Sequence, residues 1–205
     1  MINDVWYNFN ERIYFLTRNT FDQAPSTAGV YAWYYPLRVS TYDLKEFINE
    51  VLLVMAYDSI SGGTLKLSSE IQSSWRRYKF DLTSIPTIDN LPKAFIDSWN
   101  KVTNNDFDSV RKDLMRFSLF MPPLYVGKTN SLVRRINEHV NGKANTNSFK
   151  QRFEEFAKSN SLSQQSVGDL LCVAVTSTNT EESEEYVNLM EYIMKILSAP
   201  GFSIQ

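Results

Sequence analysis

The chain has 205 residues, of which 43% are apolar, 14% aromatic and 21% charged, with a formal net charge of −2. Such a chain has material for a packed core, is not disordered by charge excess, and is a poor candidate for coating nucleic acid non-specifically, although a local basic cleft can still hold one phosphate track. One cysteine, Cys172, and one histidine, His139, exclude an intramolecular disulfide and a Cys-rich zinc site, fit a reducing compartment, and leave a single position for imidazole chemistry.

The opening residues have no n-region, apolar h-region or small-residue cleavage pattern, and no run approaches 18 apolar residues. The expectation is a cytoplasmic chain with no membrane partner. Residues 3–18 place Val5, Trp6, Phe9, Ile13 and Leu16 at helical spacing, with Asn3 or Asp4 as cap. Residues 22–28 are turn-like, and GVYAWYY (29–35), stopped by Pro36, predicts a strand. Residues 43–57 predict a helix capped by Asp43, and Ser61-Gly62-Gly63 a turn. The segment 65–80 is open between strand and helix, while 92–102 and 106–117 predict two further helices. A strand over 122–128 ends near Gly127. Next comes a helix through Leu132, Val133, Ile136 and Val140, capped by Asn130 or Ser131 and ended by Gly142. Phe149, Phe153 and Phe156 mark another helix by their core-facing stripe. DLLCVAVTS (169–177) predicts a buried strand with Cys172 as an inert apolar residue, and 181–198 a helix with an acidic first turn. The expected class is α+β: a small antiparallel-type sheet flanked by helices.

Gly29-Val30-Tyr31 on one strand and Tyr125-Val126-Gly127 on another are followed, in order, by Lys128, by Arg135 and His139 at i and i+4, and by Glu191 and Pro200. This order resembles the signature of the GIY-YIG nuclease family, and is most similar to its restriction-endonuclease-like members, in which an insert separates the motif strands. The resemblance covers 26–36 and 121–205. It implies a nuclease core there, an N-terminal helical extension over 1–25, and a mostly helical insertion over 37–120 where target recognition would lie. Ser203 stands where the family usually has Asn, and Ser offers a single small hydroxyl in place of an amide.

Phosphodiester hydrolysis needs a positioned water, a base, a metal and cations for the developing charge. Glu191 offers a hard oxygen to Mg²⁺, with Mn²⁺ as substitute. Arg135 suits a bidentate hold on the scissile phosphate. Tyr31 would be the base or orient the attacking water, its pKa lowered by the metal, Arg135 and Lys128. His139 would accept that proton or hold the Tyr31 hydroxyl, Tyr125 would position phosphate or water, and Lys128 and Ser203 would touch phosphate. At about 100° per residue, Arg135 and His139 border the buried stripe of their helix, Arg134 and Glu138 point farther to solvent, and Glu191 sits at the edge of its own helix's buried arc. Each of these residues taken singly also fits a bland role: strand aromatics, a half-buried histidine, solvated charges. The cluster Trp75-Arg76-Arg77-Tyr78-Lys79 is either a DNA-contacting surface (Arg76, Arg77, Lys79) or an amphipathic face with snorkelling charges.

The expected function is a Mg²⁺-dependent endonuclease acting on duplex DNA, restriction-like or otherwise directed at foreign DNA, without an organic cofactor. Cutting both strands with one site per subunit suggests a homodimer or transient pairing of two copies. Two alternatives are a catalytically impaired module of the same fold that binds nucleic acid or protein, and a structure-specific repair nuclease.

Overall fold

The computed structural model describes residues 12–38, 43–55, 68–72, 77–81, 92–142, 148–176 and 184–198. In chain order the elements are β1 (Ile13–Leu16), β2 (Gly29–Tyr34), α1 (Leu44–Met55), β3 (Ser68–Gln72), β4 (Arg77–Asp81), α2 (Lys93–Asn105), α3 (Phe107–Phe117), β5 (Tyr125–Thr129), α4 (Leu132–Asn141), α5 (Ser148–Ser159), β6 (Leu171–Thr176) and α6 (Glu184–Ser198). They fall into two units, residues 1–36 with 121–205, and residues 37–120.

The first unit is α+β, built on an antiparallel sheet of order β1-β6-β2-β5. β2 reads as a continuous apolar run because helices cover both its faces, and its residues 29–33 are all buried. Alternation along the strands then sorts the side chains. Tyr31 lies opposite Gly127 and Ala174, and Trp33 opposite Tyr125 and Cys172. That face is covered by α4 and α5, whose His139 and Phe149 meet the ring of Trp33 at 5.9 and 6.2 Å. Val30, Ala32 and Val126 form the other face, against which Val187, Met190 and Met194 of α6 pack.

Segment 13–16 corrects the expected N-terminal helix: it is a strand, paired with β6 from Ile13 opposite Val175 to Leu16 opposite Cys172. Residues 1–11 of that expected helix lie outside the described residues. The cap of α4 also differs from expectation. Neither Asn130 nor Ser131 caps with its side chain; the Leu132 and Val133 amides instead donate to the carbonyls of Thr27 and Pro25, both at 3.0 Å. Two of the first-turn donors that every helix leaves unpaired are thereby satisfied from the segment before β2, which ties α4 to the first motif strand.

The second unit has its own core, in which buried Leu44 and Trp99 meet Phe47, Ile48, Ile96, Phe107 and Leu114. Asp43 caps α1 by accepting from the Lys45 amide at 2.8 Å, and Asp106 caps α3 by accepting from Ser109 at 3.0 Å. The ambiguous segment 65–80 contains β3 and the start of β4, which pair as an antiparallel two-stranded sheet. The two ends of the unit meet where the Leu37 amide donates to Ser118 Oγ at 2.7 Å. Among the described residues, no helix is long and apolar enough to cross a membrane.

Candidate active site

Four residues named from the sequence converge on the α4 face of the sheet. Tyr31 from β2 places its hydroxyl 2.8 Å from His139 Nε2, and Arg135 Nε donates to the same oxygen at 3.3 Å. The i, i+4 spacing of Arg135 and His139 puts both over the phenol, one helical turn apart. Tyr125 closes the group, its ring 6.1 Å from that of Tyr31 and 5.4 Å from the imidazole. The glycines of both motif triplets have a steric reason. A β-carbon on Gly127 would lie 2.5 Å from the Tyr31 oxygen, so the phenol occupies the space a side chain would take; one on Gly29 would strike the Val175 carbonyl and come 2.9 Å from Leu132 of α4.

Three further residues build the site. Phe149 stacks on Tyr125 at 4.7 Å and meets His139 edge-on at 5.5 Å. Trp33 closes the floor beneath His139. Glu138 accepts from Arg135 Nη1 at 2.8 Å and from Arg134 Nη1 at 2.6 Å. Phe149 was legible only as core, and Glu138 only as a solvent-directed charge. The signal for Glu138 was its i, i+3 and i, i+4 spacing to two arginines.

The electrostatics correct one expectation. Tyr31 is 1% exposed, and its pKa is raised well above the ordinary 10.0, first by burial and then by the neighbouring Tyr125, with Arg135 opposing. Among the protein groups alone, desolvation outweighs the guanidinium, so any lowering of the Tyr31 pKa would have to come from the metal. Lys128 lies opposite Val30, on the α6 face of the sheet. For Arg135, burial pulls the pKa down, but the Glu138 hydrogen bond and the two phenols outweigh it and hold the guanidinium charged. Arg135 also holds the Glu138 carboxyl below the ordinary range.

Glu191 lies on α6, which packs on the opposite sheet face from Tyr31. Its Oε1 accepts from Lys195 Nζ at 3.0 Å, and Lys195 is its one side-chain partner among the described residues. The structure thus brings Tyr31, Tyr125, Arg135 and His139 together and leaves Glu191 out of hydrogen-bond contact with them. Ser203 and Arg76 lie outside the described residues. Arg77 and Lys79 sit on β4, opposite Gln72 and Glu70.

The divalent metal that the resemblance implies has one carboxylate to bind here. Glu191 has a second oxygen without a protein donor among the described residues, where no group of three or more His, Cys, Asp and Glu could hold an ion. That donor chemistry fits Mg²⁺, which keeps several waters and takes one or two carboxylates.

Residues 122–187 match the family model of the GIY-YIG catalytic domain. Searches of curated proteins and of solved structures found no significant match. The matched segment contains Tyr125, Arg135 and His139. Gly29-Val30-Tyr31 lies outside it, and Glu191 lies just past its end. Over these residues the chain is similar to the GIY-YIG catalytic domain.

Proposed function

We propose that this chain, whose residues 122–187 match the GIY-YIG catalytic domain, is a divalent-metal-dependent endonuclease that hydrolyses phosphodiester bonds in duplex DNA, in a restriction-like role against foreign DNA. The observation that carries the reading is the Tyr31 hydroxyl held between His139 and Arg135 beside Tyr125. In the arrangement that serves this chemistry, the phenol oxygen accepts from Arg135 and gives its own proton to His139 Nε2. The raised pKa of Tyr31 disfavours a free phenolate, so Tyr31 works as a relay. As the attacking water bonds to phosphorus, its proton passes to the Tyr31 oxygen while the phenol proton moves to His139, which becomes imidazolium. The bond from phosphorus to the leaving sugar oxygen breaks, and that oxygen takes a proton from solvent.

Arg135 is well suited to hold the phosphate, and Tyr125 to position phosphate or water. When bound at Glu191, Mg²⁺ or Mn²⁺ supplies charge neutralisation at the phosphate. β5 is an edge strand, so a phosphate track running along it can meet Tyr125 on one face and Lys128 with Glu191 on the other. Ser203 is a further phosphate contact, Arg76, Arg77 and Lys79 are contacts for the flanking DNA, and a homodimer cuts both strands.

The test is cleavage of a mixed plasmid set with Mg²⁺ or Mn²⁺. Chelation, Tyr31→Phe and Glu191→Ala are each expected to abolish cutting, and cleavage by both variants at the parent rate refutes the assignment. A second reading, a catalytically impaired module that binds DNA or protein, is favoured by the near-complete burial of Tyr31 and by Ser203. DNA binding without nicking under any divalent metal selects it.

A further inference from the structure

Helix α4 carries a line of polar contacts that runs beyond the four site residues. Arg134 Nη2 donates to Asn130 Oδ1 at 3.0 Å and its Nη1 to Glu138 Oε1 at 2.6 Å; Glu138 Oε2 accepts from Arg135 Nη1 at 2.8 Å, and Arg135 Nε reaches Tyr31 at 3.3 Å. Glu138 thus spends one oxygen on each arginine, and Arg134 is itself braced at both ends. The Arg135 side chain is 37% exposed, so the sheet alone does not immobilise it. A free arginine side chain samples many rotamers, and two fixed hydrogen bonds at different nitrogens leave its planar fork one orientation. Nη2 is the nitrogen left without a partner among the described residues. Its two N–H groups suit a phosphate oxygen.

We infer that Glu138 is a positioning residue. It fixes the Arg135 guanidinium so that Nε faces the Tyr31 hydroxyl and Nη2 stays open to the scissile phosphate. Its role rests on the nuclease reading above, and it acts on substrate only through Arg135. Its carboxylate also costs something in binding, since a negative charge beside a phosphate site repels the ligand. Removing it is therefore expected to slow turnover while leaving DNA affinity unchanged or raising it. Loss of fold cannot produce that pair of effects, because unfolding lowers both.

The experiment compares Glu138→Ala, Glu138→Gln and Arg135→Ala with the parent protein. The readouts are kcat and KM for a plasmid or oligonucleotide duplex, the duplex Kd without divalent metal, and the Arg135 side-chain Nε–H signal in a ¹⁵N spectrum. Glu138→Ala is expected to lower kcat about tenfold or more, leave Kd unchanged or tighter, and broaden or exchange away the Nε–H signal. Glu138→Gln keeps one acceptor oxygen and is expected to fall between. Parent-like kcat in Glu138→Ala alongside an inactive Arg135→Ala overturns the role of Glu138 and leaves the nuclease reading standing. Full activity in Arg135→Ala overturns that reading instead. An unchanged Arg135 Nε–H signal in Glu138→Ala overturns the positioning claim whether or not any duplex is cut.

Discussion

Gly127→Ala is a sharp probe of the site because it adds one methyl group where the structure has no room. The new β-carbon would lie 2.5 Å from Tyr31 Oη, 2.7 Å from its Cζ and 2.8 Å from Tyr125 Cε1. Neither phenol can easily retreat: Tyr31 is buried under His139, and Tyr125 is stacked on Phe149. Overpacking of this kind costs about 1–3 kcal/mol. If Tyr31 shifts enough to lose the 2.8 Å contact, the buried His139 nitrogen is left unsatisfied, at about a further 1–3 kcal/mol. The expected loss is roughly 2–6 kcal/mol, read as a lower urea midpoint by circular dichroism, together with loss of plasmid cleavage. Gly168→Ala is the matched control, since its β-carbon would meet Ser166 Oγ at 3.4 Å and Val140 at 3.6 Å, ordinary contacts. It is expected to stay within about 0.5 kcal/mol of the parent. A Gly127→Ala protein with the stability and cleavage rate of the Gly168→Ala control would show that Tyr31 does not lie across that glycine.

Alkaline stability follows from two groups that fold with raised pKa values, Tyr31 above 10.0 and Cys172 above 9.0, burial being the leading cause for both. Their contribution is fully present below about pH 8; as pH rises toward the folded values, the unfolded chain releases protons first and stability is lost. Urea titrations from pH 8 to 11 are expected to show a shallower decline for a Tyr31→Phe, Cys172→Ala double variant, and an identical slope contradicts the burial argument. In the second unit, Trp99 is 8% exposed and stacks on Phe47 at 5.3 Å. Trp99→Ala is expected to cost about 3–5 kcal/mol and to bring the first limited-proteolysis cuts into residues 37–120; an unchanged digestion pattern argues against a core centred there.

Most of the first unit was legible from pattern alone. The run of β2 is apolar because both its faces are covered, β6 shows an apolar run from Leu171 to Val175, and α4 shows its buried stripe at Leu132, Ile136 and His139. The strand β1 was not legible, because Ile-Tyr-Phe-Leu is apolar at every position and shows no period of two, while Ile13 and Leu16 continue a helical spacing begun at Val5. Only pairing with β6 decides it, and that contact is distant in sequence. Within the site, the order of Tyr31, Tyr125, Arg135 and His139 carried the identification. The direction of the Tyr31 pKa could not be read this way, since it depends on how deeply the phenol is enclosed. Glu138 escaped because helical angle locates a Cβ, whereas a flexible side chain can reach sideways to an arginine a turn away.

The bond between Leu37 and Ser118 bears on how the chain assembles. β2 and β5 lie side by side in the sheet, yet all of residues 37–120 separate them. Closing so long a segment from a coil carries an entropic penalty of about 0.6 kcal/mol for each doubling of its length over a short hairpin. Once the intervening unit folds and its ends are clasped, the two motif strands face each other across little more than a turn. Early acquisition of that unit would then speed the docking of Tyr31 beside Gly127.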